Sequence, residues 1–287
     1  MEEKVSPEVT VANLRLHWIA YIAITAFASG FAAMPSKSFG QSSVTRFVDA
    51  GGHRLNMLIE GTGTPTVILE SGLGEGLESW NRVEPEVAKF TRVVAYDRAG
   101  LGTSDPSPRP RTAQQVAREL HTALRNAKIA PPYLLVGHSA SGFTIRVFAA
   151  MYPKEIAGLV FVDPTQEGLV EWLKLNRPDT WKEIEEETAK SPEGVRNESA
   201  ASETNERQAR KARLPNVPTV LLAGARTNDS RTPQLLQFWM EKHRQFLRGL
   251  PKSKFVLAEK SGHFIQRDQP ELVVEAIKDV INLKRAP

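Results

Sequence analysis

A sharp turn between a buried strand and a helix is the feature that most restricts how this chain folds. The apolar run 133–136 is typical of a buried strand, and it leads into Gly137-His138-Ser139-Ala140-Ser141-Gly142, after which a helical pattern spans 143–151. Small residues permit a tight turn that exposes the serine oxygen, and the N-terminus of the following helix favours negative charge beside it. The pattern predicts Ser139 as a nucleophile, although Ser141 stands where such turns usually carry glycine.

Strand-like and helix-like segments alternate along the rest of the chain, which favours a doubly wound α/β fold. The later apolar runs are nearly continuous, as expected when helices cover both faces of a mostly parallel sheet. The predicted strands are 54–60, 66–71, 93–96, 133–136, 158–162, 219–223 and 254–258. The predicted helices are 80–90, 112–128, 143–151, 233–250 and 271–283.

Residues 164–216 interrupt this alternation between two predicted core strands. The segment is rich in Glu, Lys and Arg, shows no strand pattern and contains Trp172 and Trp181. We interpret it as a helical cap inserted over one sheet edge, which divides the core into 41–163 and 217–287. Trp172 is a candidate substrate-binding residue, because aromatic side chains commonly line ligand pockets. The alternative is that both tryptophans only fasten the cap to the core, and 182–213 is expected to be mostly a solvated helical face.

Residues 1–40 resemble a leader rather than part of the folded core. Arg15 and His17 precede an apolar run at 18–34, and a polar segment with small residues follows. A secretory signal peptide or an uncleaved membrane anchor would have this pattern, and the third alternative is a helix packed on the core. A signal peptide would make this an exported protein, and an uncleaved anchor would associate it with a membrane through the N-terminus.

Composition excludes several classes of function. The net charge is +4, and the basic residues are scattered rather than grouped on one stripe, so nucleic acid is not an expected partner. The chain has no cysteine, which removes thiol nucleophiles, disulfides and cysteine metal sites. No phosphate-binding glycine motif of the P-loop or dinucleotide type is present. We expect no metal and no organic cofactor.

A serine hydroxyl needs a base within hydrogen-bonding distance before it becomes a useful nucleophile. His263 is the best candidate, because it follows the last predicted strand and would lie at the same sheet edge as Ser139. His138 adjoins Ser139 in sequence but is expected to point elsewhere, and His243 falls in a charged helical segment.

Two aspartates are candidates for the acid that would orient His263. Asp163 ends the apolar run 158–162, and Asp229 lies in the loop after the run 219–223. Both loops open at the carboxyl edge of the sheet, where ligands bind in folds of this kind. Position 227, where the acid more often lies, is a threonine. The residue pattern leaves both Asp163 and Asp229 open.

The loop after the strand 66–71 is rich in glycine and is expected to face the same edge. We predict that the amides of Leu73 and Ala140 form an oxyanion hole, the pair of donors that a tetrahedral intermediate requires. Gly72 is expected to let this backbone approach the substrate closely. A glycine-rich loop can instead bind a phosphate group. The absence of P-loop and dinucleotide-binding motifs argues against that alternative.

Over about residues 45–285 the chain resembles the alpha/beta-hydrolase superfamily. The matching pieces occur in the expected order: the glycine loop before Trp80, Tyr96-Asp97-Arg98-Ala99-Gly100-Leu101-Gly102-Thr103-Ser104-Asp105, the Ser139 turn, Tyr152-Pro153, Gly158-Leu159-Val160-Phe161-Val162-Asp163, and Ser261-Gly262-His263. The resemblance implies that Asp97 and Arg98 brace the loop beside the oxyanion hole. Zearalenone-type lactone hydrolases have a similar turn with the acid before the cap, an analogy that favours Asp163. Where many relatives have His-Gly, this chain has Ser71-Gly72.

The expected function is a serine esterase or lactonase with a Ser-His-Asp catalytic triad, acting on a small hydrophobic acyl substrate. An alternative of another class is a receptor on the same fold with slow or absent turnover. Cofactor-free haloperoxidase-like chemistry or carbon–carbon bond hydrolysis is a further alternative within the enzyme class.

Overall fold

The structure is a computed structural model, and it describes residues 45–228 and 231–285. Within them, eight strands form one sheet in the order β1-β2-β4-β3-β5-β6-β7-β8. Strand β2 is antiparallel to β1 and β4, and the remaining neighbours are parallel. The strands are β1 (Thr45–Asp49), β2 (Arg54–Glu60), β3 (Thr66–Glu70), β4 (Val93–Tyr96), β5 (Tyr133–His138), β6 (Ile156–Val162), β7 (Thr219–Gly224) and β8 (Ser253–Ala258).

Helices alternate with the strands from β3 onward, apart from one longer helical insertion. Two short 3-10 segments, Leu77–Trp80 and Pro153–Glu155, precede α1 and β6 respectively. The helices are α1 (Glu84–Ala88), α2 (Ala113–Asn126), α3 (Ser141–Met151), α4 (Leu169–Asn176), α5 (Pro178–Lys190), α6 (Glu193–Ala200), α7 (Ser202–Lys211), α8 (Pro233–Leu247), α9 (Ile265–Asp268) and α10 (Pro270–Arg285).

The central strands are buried on both faces because helices pack on each side of the sheet. Along β5, Tyr133 and Leu135 join a core that also contains residues of α2 and α3, while Leu134 and Val136 join the opposite core with residues of α1 and α10. The period of two in a strand sends alternate side chains to opposite faces. This two-sided burial explains why the sequence of β5 is continuously apolar and confirms the predicted doubly wound, mostly parallel fold.

Four helices, α4 to α7, lie between β6 and β7, within the segment 164–216 predicted to be helical. Helix α7 packs against α3 and α2. The insertion therefore lies near the carboxyl end of β5, where Ser139 follows the strand. We refer to α4–α7 as the cap. The segment 182–213, predicted to be mostly a solvated face, has five buried residues: Ser191, Val195, Glu198, Ala201 and Ala209.

Strand β1 was not predicted from the sequence. Its residues alternate less clearly than those of other strands, since only Val48 is buried. Pairing with β2 at the sheet edge supplies the hydrogen bonds that its weak pattern does not indicate.

The predicted leader, residues 1–40, lies outside the described residues. Among the helices that the structure describes, none is long and apolar enough to cross a membrane.

Candidate active site

Ser139 lies in the turn between β5 and α3, with φ at +55°. An L-residue adopts this left-handed conformation at a cost, so neighbouring contacts must hold it. The Ser139 amide donates to the carbonyl of Val162 at 3.1 Å, and its own carbonyl accepts from Gly142 at 3.0 Å and Thr165 at 2.9 Å. These bonds fasten the turn to the end of β6 and keep the side chain at the carboxyl edge of the sheet.

Ser141 fits the position where such turns usually have glycine. Its hydroxyl lies 2.8 Å from the carbonyl of Glu70 and 2.7 Å from that of His138, and the residue is buried. Where glycine would have no side chain, the serine hydroxyl therefore contacts the adjacent strand β3.

His263 lies between Ser139 and Asp163. Its Nε2 is 2.8 Å from Ser139 Oγ, and its Nδ1 is 2.6 Å from Asp163 Oδ2. Because a carboxylate accepts only, Nδ1 carries the proton, which leaves Nε2 free to accept the serine proton. Three residues that are distant in sequence thus form one hydrogen-bonded chain.

Asp163 follows β6 directly and is completely buried. Arg231 donates to both of its oxygens, at 2.6 and 3.0 Å, and the Gly224 amide donates to Oδ1 at 2.9 Å. This bidentate ion pair is a strong, geometrically defined interaction. No local sequence pattern marks Arg231 as a partner of Asp163. Asp229, the other candidate acid, lies outside the described residues.

His243, which the sequence places in a charged helical segment, also belongs to this cluster. It is fully buried on α8, and its Nε2 lies 3.9 Å from Asp163 Oδ1. The Gln166 amide nitrogen lies 3.1 Å from His243 Nδ1, which places the ring proton on Nε2, toward Asp163.

The surroundings shift the pKa values of Asp163 and His263 in the direction that base catalysis requires. Burial alone would raise the pKa of Asp163, but Arg231, His243 and His263 outweigh it and hold that pKa well below its usual range. Burial lowers the pKa of His263 and, aided by the charges of His138 and Arg231, outweighs the hydrogen bond that His263 donates to Asp163 and the charge of that carboxylate. Asp163 is therefore ionised and His263 neutral near neutral pH.

The loop after β3 lies beside Ser139. Leu73 and Ala140 both line the cavity around the serine. Among the described residues, neither amide has a protein acceptor, so both are available to bind an oxyanion. We call residues 71–74 the oxyanion loop.

Arg98 binds the backbone of the oxyanion loop. It donates to the carbonyls of Ser71 at 2.6 Å and Gly72 at 2.7 Å, and it forms ion pairs with Glu70 and Glu198. The guanidinium is buried, so its charge is compensated by two carboxylates rather than by water. This arrangement agrees with the bracing role that the resemblance implied.

Glu75 and His138 hold the other side of the loop. The Gly72 amide donates to Glu75 Oε2 at 3.1 Å, and the same oxygen lies 2.9 Å from His138 Nδ1. Nε2 of His138 lies 3.0 Å from the carbonyl of His263. Burial would raise the pKa of Glu75, but His138 and Arg267 lower it to about 2. His138 therefore points away from Ser139, as expected, yet contacts the segment that carries His263.

A cavity of about 610 Å³ opens above Ser139 and beneath the cap. Its volume falls within the range of small-molecule sites, about 300–1,000 Å³. Most of the lining is apolar, and Arg98 and Glu198 are among the charged side chains that reach it. The apolar lining side chains include Leu73, Val116, Phe143, Leu169, Val170, Leu173, Trp181 and Ile184.

Trp172, the candidate substrate-binding residue, is not among the residues that line the cavity. Leu169, Val170 and Leu173 occupy the face of α4 that lines the cavity, whereas Trp172 faces Phe238 with ring centroids 5.5 Å apart. Trp181, on α5, is the tryptophan that reaches the cavity.

Gly72 lies beside the Ser139–His263 pair but outside the lining of the large cavity. A methyl group at this position would come within 2.6 Å of Glu75 Oε2 and 2.9 Å of His138 Nδ1. The glycine therefore makes room for these two side chains, and its amide is already bonded to Glu75.

No group of three or more His, Cys, Asp or Glu side chains in the described part of the chain is arranged to hold a metal ion.

Comparison with known proteins identifies the family. The family model described as alpha/beta hydrolase fold matches residues 65–216. The uncharacterized protein YqjL of Bacillus subtilis is 30% identical over 227 residues, covering 77% of this chain and 85% of that protein. An AB hydrolase superfamily protein of Gibberella zeae is 26% identical over 281 residues, covering 77% and 87%. A thermophilic esterase from Thermogutta terrifontis superposes with a TM-score of 0.61 at 19% identity, covering 85% of this chain and 100% of that one.

The chain belongs to the alpha/beta hydrolase fold family. This membership and the hydrolases among its relatives support a hydrolytic enzyme.

Proposed function

We propose that this protein is a serine hydrolase that cleaves a carboxylic ester or lactone through an acyl-enzyme. The observation that carries the proposal is the continuous hydrogen-bonded chain from Ser139 through His263 to the buried carboxylate of Asp163, at the floor of a mostly apolar cavity. A serine with an oriented base and a third group that fixes the base is the constellation for acyl transfer.

In the proposed reaction, Ser139 Oγ attacks the substrate carbonyl while His263 Nε2 takes the hydroxyl proton. The amides of Leu73 and Ala140 donate to the oxygen that becomes negative. The tetrahedral intermediate collapses, and His263 gives its proton to the leaving alkoxide. A water molecule then attacks the acyl group with His263 again as base, which releases the acid and restores Ser139.

Asp163 has two roles in this scheme. Its Oδ2 fixes the Nδ1–H tautomer of His263, and its charge stabilises the imidazolium that forms during each step. Arg231 shares the same carboxylate, so the Asp163 charge that His263 experiences is partly compensated in the resting state. That compensation favours neutral His263, the form that acts as base.

The size and lining of the cavity support a small hydrophobic acyl substrate. Apolar side chains from the cap and from α2 and α3 surround the space above Ser139, which suits burial of an acyl or alkyl chain. The ester or lactone oxygen would face the polar floor formed by Ser139 and the two free amides.

The experiment that tests the proposal combines covalent labelling with turnover. A fluorophosphonate probe is expected to form one adduct per chain, which peptide mass spectrometry should locate at Ser139. Aryl esters of graded acyl length and simple lactones should then be hydrolysed over many cycles per labelled serine. Labelling without turnover of any of these compounds would point to the receptor alternative, and absence of an adduct would contradict the proposal.

The pH dependence of kcat/KM provides a second test. Since the pKa of His263 is lowered, activity is expected to stay constant on acidification past the ordinary histidine value of about 6.5 and to fall only below it, as His263 takes up a proton. The measurement is a pH series on an ester whose own hydrolysis is subtracted, with folding monitored at each pH.

His121→Gln is a suitable control for this series, because His121 stacks on Tyr152 and contacts Glu155 rather than the site. The variant should give the same profile as the unmodified protein. A midpoint at or above the ordinary histidine value would contradict the electrostatic account of His263.

A further inference from the structure

Glu198 connects the cap to the oxyanion loop. It lies on α6, and its Oε2 accepts a hydrogen bond from the Gly74 amide at 3.0 Å. The same carboxylate accepts from Arg98 Nε at 2.6 Å and from Arg98 Nη2 at 2.9 Å. Glu198 is buried and lies in the wall of the cavity above Ser139. One cap side chain therefore contacts both the loop and the arginine that supports it.

Bonds within the loop region contribute to the position of Leu73: the Glu75 amide donates to the Gly72 carbonyl at 3.1 Å, and Ser71 Oγ donates to the Gly76 carbonyl at 2.7 Å. Arg98 fixes the carbonyls of Ser71 and Gly72, which precede it, whereas Glu198 bonds to the amide of Gly74, which follows it. Leu73 is thus held from both sides, and the contact to the residue that directly follows it comes from the cap. A shift of about 1 Å in such a donor can cost about 10²-fold in rate.

Backbone packing independently places α6 against the core. Gly194, at the start of this helix, lies so close to Gly100 that a methyl group at position 194 would overlap the Gly100 carbonyl. Gly100 follows Arg98 by two residues, so the helix docks on the segment that carries the arginine. This close contact between two backbones fixes the distance of α6 from the core more tightly than contacts of flexible side chains would. It thereby also fixes the position from which the Glu198 side chain extends toward the oxyanion loop.

We propose that Glu198 is a positioning residue that makes the oxyanion hole depend on the docked cap. This inference rests on the proposed function and adds a coupling to it: the Leu73 amide reaches its position only when α6 is seated over the cavity. Enclosure of the substrate and assembly of the oxyanion hole then occur together. An ester bound under a displaced cap would meet Ser139 and His263 but only one well-placed donor, the Ala140 amide.

Glu198→Gln is the variant that tests the coupling. Glutamine keeps the shape of the side chain but loses the charge and replaces one acceptor oxygen with an NH₂ donor. That NH₂ would face either Arg98 Nε, or both Arg98 Nη2 and the Gly74 amide, so the three hydrogen bonds to Glu198 cannot all be kept. We expect kcat per labelled serine to fall by about 10- to 100-fold with KM changed by less than about threefold. The loss should be equal for acetyl and for long acyl esters. Loss confined to KM or to long acyl chains would show that Glu198 only contacts substrate, and would overturn the proposal.

Glu193→Gln is the matched control, because Glu193 lies on the same helix but is exposed and has no hydrogen bond to the oxyanion loop. It should behave like the unmodified protein. Gly194→Ala is the second test variant, since it displaces α6 while keeping the Glu198 carboxylate. It should also lower kcat, and it decides the question if Glu198→Gln fails to fold.

Hydrogen exchange followed by mass spectrometry separates this inference from the proposed function. Glu198→Gln should speed exchange in a peptide covering residues 71–76, and Glu193→Gln should not. Unchanged exchange in that peptide, for a folded Glu198→Gln protein, would overturn the coupling whatever the activity. A missing fluorophosphonate adduct in the unmodified protein, with the exchange difference present, would instead contradict the proposed function alone.

Discussion

Replacement of Ser139 by alanine is expected to lower kcat for ester hydrolysis by roughly 10⁴- to 10⁶-fold. The variant removes the hydroxyl that lies 2.8 Å from His263 Nε2, so no acyl-enzyme can form at this position. Residual hydrolysis would come from water activated by His263 and from the amides of Leu73 and Ala140, which remain in place. The measurement is steady-state turnover of an aryl ester, with background hydrolysis subtracted.

Ser141→Ala is the matched control, because this serine lies in the same turn and is also buried. Its hydroxyl bonds only to backbone carbonyls, so its loss should cost about 1 kcal/mol of stability and little activity. If Ser139→Ala retained a tenth of the original kcat, another nucleophile or an activated water would have to carry the reaction.

Much of the fold could be predicted from the sequence because the core strands bury both faces. Continuous apolar runs such as β5 and β6 need no knowledge of their neighbours to be recognised. Strand β1 could not be found in this way, since one buried residue in five gives no periodic signal. Its existence depends on pairing with β2, which is a tertiary effect.

The candidate site likewise contains residues that the sequence predicts and residues that it does not. Ser139, Asp163 and His263 each follow a predicted strand, so parallel topology alone brings them to one edge. The residues that tune them come from elsewhere: Arg231 from a loop and Glu198 from a cap helix. Neither position has a local pattern that distinguishes a buried ion-pair partner from a solvated charge. The position of Trp172, beside Phe238 of α8 and outside the cavity lining, likewise depends on a tertiary contact that has no local sequence signal.

Asp163→Asn is expected to lower kcat by about 10⁴-fold while leaving substrate binding nearly unchanged. Oδ1 of Asp163 accepts from Gly224 and Arg231, so the asparagine carbonyl should occupy that position. The amide NH₂ then faces His263 Nδ1 and forces the proton to Nε2, where it blocks acceptance from Ser139. The measurement is kcat and KM for the same aryl ester.

This substitution also leaves the buried guanidinium of Arg231 without a full counter-charge, which can cost about 3–5 kcal/mol of stability. A double variant, Asp163→Asn with Arg231→Met, removes that unpaired charge and should recover the melting temperature without recovering activity. Asp229→Asn is the matched control, because Asp229 is the other aspartate that the sequence offers for the same role. It should keep most of the activity. If Asp229→Asn abolished turnover and Asp163→Asn did not, Asp229 would be the acid, and the ion pair of Asp163 with Arg231 would be structural.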